Sequence, residues 1–229
     1  MAKSKIQFVD SLMVEVTKLS MTDDDALFKA NEWIGDKLDG YRATVLRKYI
    51  ADKRNDLSGC YQKIDCLKPE CLGVECEIDG IKLKMDADLW RVKIPELLSV
   101  GKAIKYFGTF DLKKAYSNTD LLALSSDKDR WGRVTRQYAR IGNYLYYHDY
   151  NNSRFFSLIG IFSNPSGICG FNDNDPYPLP KELEQQLELL VKKDLYQMLG
   201  IPVDYLNDSS DAPQQAQPQQ RRTNERARQ

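Results

Sequence analysis

The sequence predicts an α+β fold: N-terminal and C-terminal helices flanking a β-rich central region, with a disordered C-terminal tail. Three observations carry this. Apolar residues recur at steps of three and four through the first fifty residues, and again from Lys181 to Leu199. Between those stretches the apolar period falls to two, with Asp79–Gly80 and Gly142–Asn143 where hairpins would turn. Beyond Asn207 large apolar residues disappear. The chain divides accordingly into a helical part (1–56), a β-rich region (57–166), a loop with a helix (167–206) and a tail (207–229).

In order, Ile6, Val9, Leu12, Met13, Val16 and Leu19 mark a short amphipathic helix. Thr22 reads as the N-cap of a second, with Asp23, Asp24 and Asp25 at its positive end. Its apolar face is Leu27, Ala30, Trp33, Ile34, Leu38, Tyr41, Val45, Leu46, Tyr49 and Ile50. Gly35 and Gly40 are expected to bend or divide it, since each costs about 1 kcal/mol relative to Ala. Arg47, Lys48, Lys53 and Arg54 suit its C-terminus.

A two-residue Asp-Gly loop centred in Val74–Met85 predicts a hairpin. It should pair Ile78 with Ile81, Cys76 with Leu83 and Val74 with Met85 on an apolar face. Glu77–Lys82 and Glu75–Lys84 then fall on the charged face. A second hairpin at Gly142–Asn143 sets Ile141 against Tyr144, Ala139 against Tyr146, Tyr138 against Tyr147 and Arg136 against Asp149. Phe155–Phe162 is apolar on both parities, as a strand covered on both faces requires. Lys102–Asp111 is a weaker strand signal. After Pro176, Pro178 and Pro180, the last helix carries Leu183, Leu187, Leu190, Val191, Leu195, Met198 and Leu199, and Gly200 with Pro202 stops it. Asp208–Gln229 is too polar to offset its ordering entropy by burial.

The chain has 229 residues with 33 basic and 33 acidic side chains, one His, and 42% apolar residues, enough for a sizeable core in one large domain or two small ones. Zero net charge argues against a protein devoted to wrapping nucleic acid or lying on an acidic membrane. No stretch approaches the roughly 18 apolar residues of a membrane span, and Met1–Ser20 lacks the pattern of a secretion signal. Five cysteines, an odd number, without such a signal predict reduced thiols.

Chemistry-bearing patterns are sparse. Cys60, Cys66, Cys71 and Cys76 are weak zinc candidates, because their gaps of five, four and four residues contain no C-x₂-C knuckle. Asp173, Asp175 and Glu184 imitate a calcium loop, but Pro178 replaces its turn glycine. His148, the sole imidazole, sits in a tyrosine-rich strand without a nucleophile motif, and Gly101–Lys102 lacks the rest of a phosphate loop. No catalytic residue and no cofactor is predicted. Arg130, Arg133, Arg136 and Arg140, with Trp131 and Tyr138 interleaved, could form a single-strand nucleic-acid platform, though a solvated, ion-paired face explains them as well. The aromatic run Tyr144, Tyr146, Tyr147, Tyr150, Phe155 and Phe156 is a candidate partner-binding patch, equally readable as internal core. Arg221 and Arg222 in the tail are further partner-binding candidates, with Arg226 and Arg228 beside them.

This profile suits an assembly component. Leu38–Asp39–Gly40–Tyr41–Arg42 running into Leu46–Arg47–Lys48–Tyr49–Ile50 resembles the early helical part of neck proteins from tailed bacteriophages. Ile159–Gly160–Ile161–Phe162–Ser163–Asn164–Pro165 is similar to a strand and turn of the same group. So are Asp194–Leu195–Tyr196 and Ile201–Pro202–Val203–Asp204–Tyr205–Leu206–Asn207–Asp208. The nearest resemblance is to the neck ring proteins of crAss-like phages of gut Bacteroidetes. It implies a virion protein made in the host bacterial cytoplasm, a head–tail connector that forms a ring of twelve copies beneath the portal. Its partners would be the portal protein, other neck and tail ring proteins and copies of itself, with packaged DNA passing through the lumen and no membrane. The resemblance carries over no catalytic or metal residue. The rival readings are a small nucleic-acid-binding module using Arg130–Arg140 and the basic tail, and a small enzyme built from dispersed acids.

Overall fold

A computed structural model describes residues 2–18, 24–52, 57–78, 80–100, 103–120, 123–125, 136–148 and 156–200. Its fold is α+β. The first helix, α1 (Lys5–Lys18), buries Phe8, Leu12 and Val16, one side chain per turn. Its entry is a reciprocal capping box: the Gln7 amide donates to Ser4 Oγ at 3.2 Å, and the Ser4 amide donates to Gln7 Oε1 at 2.9 Å. The second, α2 (Asp24–Ala51), has 28 residues and is about 42 Å long at 1.5 Å per residue. It runs undivided through Gly35 and Gly40, against the expectation that they break it. The stripe Ala30, Ile34, Leu38, Leu46 and Tyr49, buried against the rest of the molecule, outweighs the propensity cost of the two glycines. The Thr22 cap lies outside the described residues. The last helix, α3 (Glu184–Met198), follows a 3-10 turn at Lys181–Leu183 and buries Leu187, Val191 and Leu195.

The described residues form eight strands in two sheets: β1 (Gln62–Ile64), β2 (Pro69–Ile78), β3 (Ile81–Lys93), β4 (Ile104–Thr109), β5 (Ser117–Asn118), β6 (Gln137–Ile141), β7 (Tyr144–His148) and β8 (Phe156–Gly160). One sheet has the order β1-β8-β4, the other β2-β3-β7-β6-β5. Only the β5–β6 pair is parallel among the described strands.

The β6–β7 hairpin has the expected register, Tyr138 with Tyr147, Ala139 with Tyr146 and Ile141 with Tyr144. Gly142, at the first of its two turn positions, has φ of 56°, the arrangement of a II′ turn. Arg136 lies just before β6, and its expected partner Asp149 lies outside the described residues. The β2–β3 hairpin keeps four expected pairs, Ile78–Ile81, Glu77–Lys82, Cys76–Leu83 and Glu75–Lys84. The fifth, Val74–Met85, does not form. The register shifts at Gly73, which pairs with Leu89 at φ of 81°, and Val74 is left 46% exposed. The bulge there interrupts the pairing of β2 with β3, and β3 pairs with β7 over Leu89–Lys93.

Three cores result. Helices from both ends of the chain share the first, which also takes in Cys60, Leu98, Ile161, Tyr177 and Leu179. The second lies between the sheets and includes Ile64, Val92, Phe107, Tyr138, Leu145, Tyr147, Phe156, Leu158 and Phe162. Ile161 belongs to the first and Phe162 to the second, which is why the β8 segment is apolar on both parities. A smaller third cluster, Ile78, Leu89, Leu124, Ala139 and Tyr146, lies on the far face of the five-stranded sheet. No helix among the described residues is long and apolar enough to cross a membrane.

Candidate assembly surfaces

The aromatic run does not form a surface patch. Tyr146, Tyr147 and Phe156 are 6%, 0% and 0% exposed. Tyr147 and Phe156 join Phe107, Tyr116 and Tyr138 in a ring cluster, with Tyr147–Phe156 centroids 4.7 Å apart and Phe107–Tyr147 rings 5.2 Å apart, edge to face. Edge and tilted contacts of this kind add to the stabilisation from burial. The reading of these side chains as partner-binding is therefore corrected to internal core: alternation on β7 sends Leu145 and Tyr147 between the sheets and Tyr146 into the third cluster. Tyr144 keeps partial exposure, with the Arg91 guanidinium 5.1 Å from its ring centroid and Arg91 Nε donating to Glu70 at 2.8 Å. Phe155, Arg221 and Arg222 lie outside the described residues.

Of the arginine set, Arg136 and Arg140 are exposed and four positions apart, while Arg130 and Arg133 lie outside the described residues. Arg140 Nε donates to the Gly142 carbonyl at 3.1 Å, a contact within its own hairpin. His148 is buried, with Nε2 2.8 Å from the Leu124 carbonyl and Nδ1 3.1 Å from that of Asp88. Both ring nitrogens thus face backbone acceptors that hold the third cluster together.

The four zinc candidates are separated. Cys60 is buried in the helical core, Cys71 is exposed and Cys76 is half-buried. Cys66 is bonded to Cys169, 103 positions away, with Cα atoms 6.5 Å apart. Strand β2 draws Cys71 and Cys76 out along its length, about 16 Å over five residues at strand rise, and no three metal-ligating side chains gather among the described residues. The expectation of reduced thiols throughout is corrected with it. Cys169 lies in the turn after β8, and only the tertiary fold brings it to Cys66.

A polar cluster that sequence reading missed ties the layers together. Arg42 is fully buried; its Nε donates to the Pro178 carbonyl and its Nη1 to the Phe162 carbonyl, both at 2.8 Å. Its guanidinium lies 5.8 Å from the Tyr177 ring centroid, and the Tyr177 hydroxyl donates to Asp39 Oδ1. Lys5 Nζ is 3.8 Å from Asp39 Oδ2. Burial pushes the Arg42 guanidinium below its ordinary pKa, opposed by Tyr177, Cys60 and Asp39. Burial, reinforced by Asp39, raises Tyr177 well above the usual tyrosine value. One residue back on α2, the Tyr41 hydroxyl donates to Asp194 of α3. The signal was present in the sequence: Arg42 sits four residues from both Leu38 and Leu46, in the middle of the stripe that periodicity buries.

Each perturbed side chain in this cluster is committed to joining one element to another, and the exposed apolar residues lie outside it. A family model, phage tail ring protein 2 of crAss-like phages, matches residues 7–216, and the chain belongs to that family. Among curated proteins none matches the chain. It is a virion structural component, and membership of a ring family implies that it oligomerises and associates with other tail or neck components. Three of the segments that carry the resemblance meet in the structure: Leu38–Arg42 touches Ile159–Pro165 through Arg42 and Phe162, and Asp194–Tyr196 through Tyr41 and Asp194.

Proposed function

We propose that this protein is the head–tail connector, or adaptor, of its virion: a ring of twelve copies attached to the portal, extending the DNA channel and offering a platform on which the tail assembles. The family match over residues 7–216 carries this reading. The polar cluster supports it. A ring subunit passes load between neighbours above and below, and Arg42 clamps the helical layer to the sheet layer through two backbone carbonyls. A net charge of zero suits a lumen through which DNA must slide without strong phosphate contacts.

The mass of the purified protein, by light scattering, alone and then mixed with portal rings, tests the proposal. A ring-sized species, or monomers that become a ring on the portal, is the expected result. Monomers indifferent to the portal would overturn it. In that event exposed Arg136 and Arg140 favour the rival nucleic-acid-binding module. Salt-sensitive DNA affinity in a small species would then be the deciding observation.

A further inference from the structure

Beyond β4 the chain makes a short excursion, Thr109–Lys114, that is held unusually firmly for an exposed turn. The Thr109 amide donates to the Lys114 carbonyl at 3.0 Å, and the Leu112 amide donates to the Thr109 carbonyl at 2.9 Å. Thr109 Oγ1 donates to Asp111 Oδ1 at 2.6 Å and accepts from the Lys114 amide at 3.2 Å. From below, the Tyr106 hydroxyl reaches the Thr109 and Lys114 carbonyls, at 3.0 and 3.1 Å. Gly108 lets the turn fold back this closely, since a Cβ there would lie 2.1 Å from the Lys114 carbonyl oxygen. Leu112 takes a left-handed φ of 58°, alone among the described non-glycine residues.

All this bracing and strain presents two apolar side chains to water, Phe110 at 54% and Leu112 at 46% exposure. Lysines collar them: Lys63 Nζ lies 4.8 Å from the Phe110 ring centroid, and Lys113 and Lys114 follow in the turn. Strain held in a surface turn that exposes apolar groups marks a contact surface.

A complementary surface exists on the same chain. Between α1 and α2 lies a groove of about 510 Å³, with Ile6, Val9 and Gly35 in its lining and Asp10, Glu32, Asp36 and Asp173 around it. Its one lysine, Lys5, turns its ammonium toward Ser166 and Asp39. Ile6 is 40% exposed there, and the space above Gly35 is open. Turn and groove are different surfaces built on different elements: the turn follows β4, which pairs with β8 at Thr109–Phe156, and the groove is lined by α1 and α2, with Lys5 of α1 bonding Ser166 at 2.9 Å. Two different, complementary patches are what a head-to-tail contact requires, and such contacts close into rings when the rotation matches the copy number.

We propose that the turn Thr109–Lys114 of one copy seats in the α1–α2 groove of the next copy, apolar tip against Ile6 and Val9, lysine collar against the acidic rim. This contact rests on the ring reading above and adds to it which surfaces meet. The test compares the wild-type protein with four variants, each checked for unchanged thermal unfolding, by light scattering alone and on portal rings. Phe110→Asp with Leu112→Asp should abolish self-association. Lys113→Glu and Asp36→Lys should each weaken it at least tenfold, and the two combined in one chain should recover most of the loss. Wild-type rings matched by equal assembly of the aspartate variant, or by charge variants with no recovery on combination, would overturn the contact while leaving the ring intact. Wild type monomeric under both conditions would overturn ring and contact together.

Discussion

At the scale of single residues, Arg42 is the most consequential side chain. It carries a charge into the helical core and satisfies two carbonyls that no water reaches. Removing one partner of a buried charged network leaves the others unsatisfied, which costs about 3–5 kcal/mol. Arg42→Ala is therefore expected to lower the unfolding free energy measured by urea titration by an amount in that range, with the m-value unchanged; a loss below about 1 kcal/mol would show that the clamp is dispensable. The tyrosines add a pH dependence. Tyr41 is pushed from 10.0 up to about 12 by burial and by its bond to Asp194, and burial with Asp39 raises Tyr177 well above its ordinary value. A raised folded-state pKa means the fold holds the proton more tightly than the unfolded chain. The stabilisation is therefore complete below pH 10 and disappears as pH climbs from there through the folded-state values. Thermal unfolding between pH 9 and pH 12 should show this fall, and Tyr177→Phe should flatten it.

At the scale of elements, helices and hairpins were largely legible, because each follows from a local pattern. Helices α1 and α3, the Gly142–Asn143 hairpin and four of the five β2–β3 pairs follow from period and turn chemistry, although a 3-10 turn occupies Lys181–Leu183 and α3 begins at Glu184. The misses share a cause. A periodic pattern states which residues share a face but not what lies opposite, so the buried α2 stripe overrode Gly35 and Gly40, and the bulge at Gly73 displaced Val74. The Cys66–Cys169 bond is of the same kind, a link across 103 positions between the segment after β1 and the turn after β8. Closing a loop of that length restricts the unfolded chain by about 4.7 kcal/mol. Both cysteines are exposed, so a reductant reaches them. Thermal unfolding with and without dithiothreitol should differ by several degrees, and Cys66→Ser with Cys169→Ser should reproduce the reduced curve. Identical curves would mean that the bond adds nothing.

At the scale of the whole molecule, helices from the two ends of the chain pack into one layer, and the β-rich middle supplies the rest of the body. The described body closes its cores by residue 200. Truncation after Asn207 should consequently leave its thermal unfolding within a degree or two of wild type. Assembly with virion partners should weaken, as expected of a polar segment that orders on a neighbour. Normal assembly of the truncated protein would sink that role for the tail. Composition, period and turn residues by themselves determined the α+β class, helices α1, α2 and α3, the two hairpins and most of their pairs, because these are properties of neighbours along the chain. Only the tertiary structure decided that Tyr146, Tyr147 and Phe156 are core, that Cys66 meets Cys169, that Arg42 is buried, and that Phe110 and Leu112 face water. Burial and pairing across the fold depend on which elements come to lie together, and no local period encodes that.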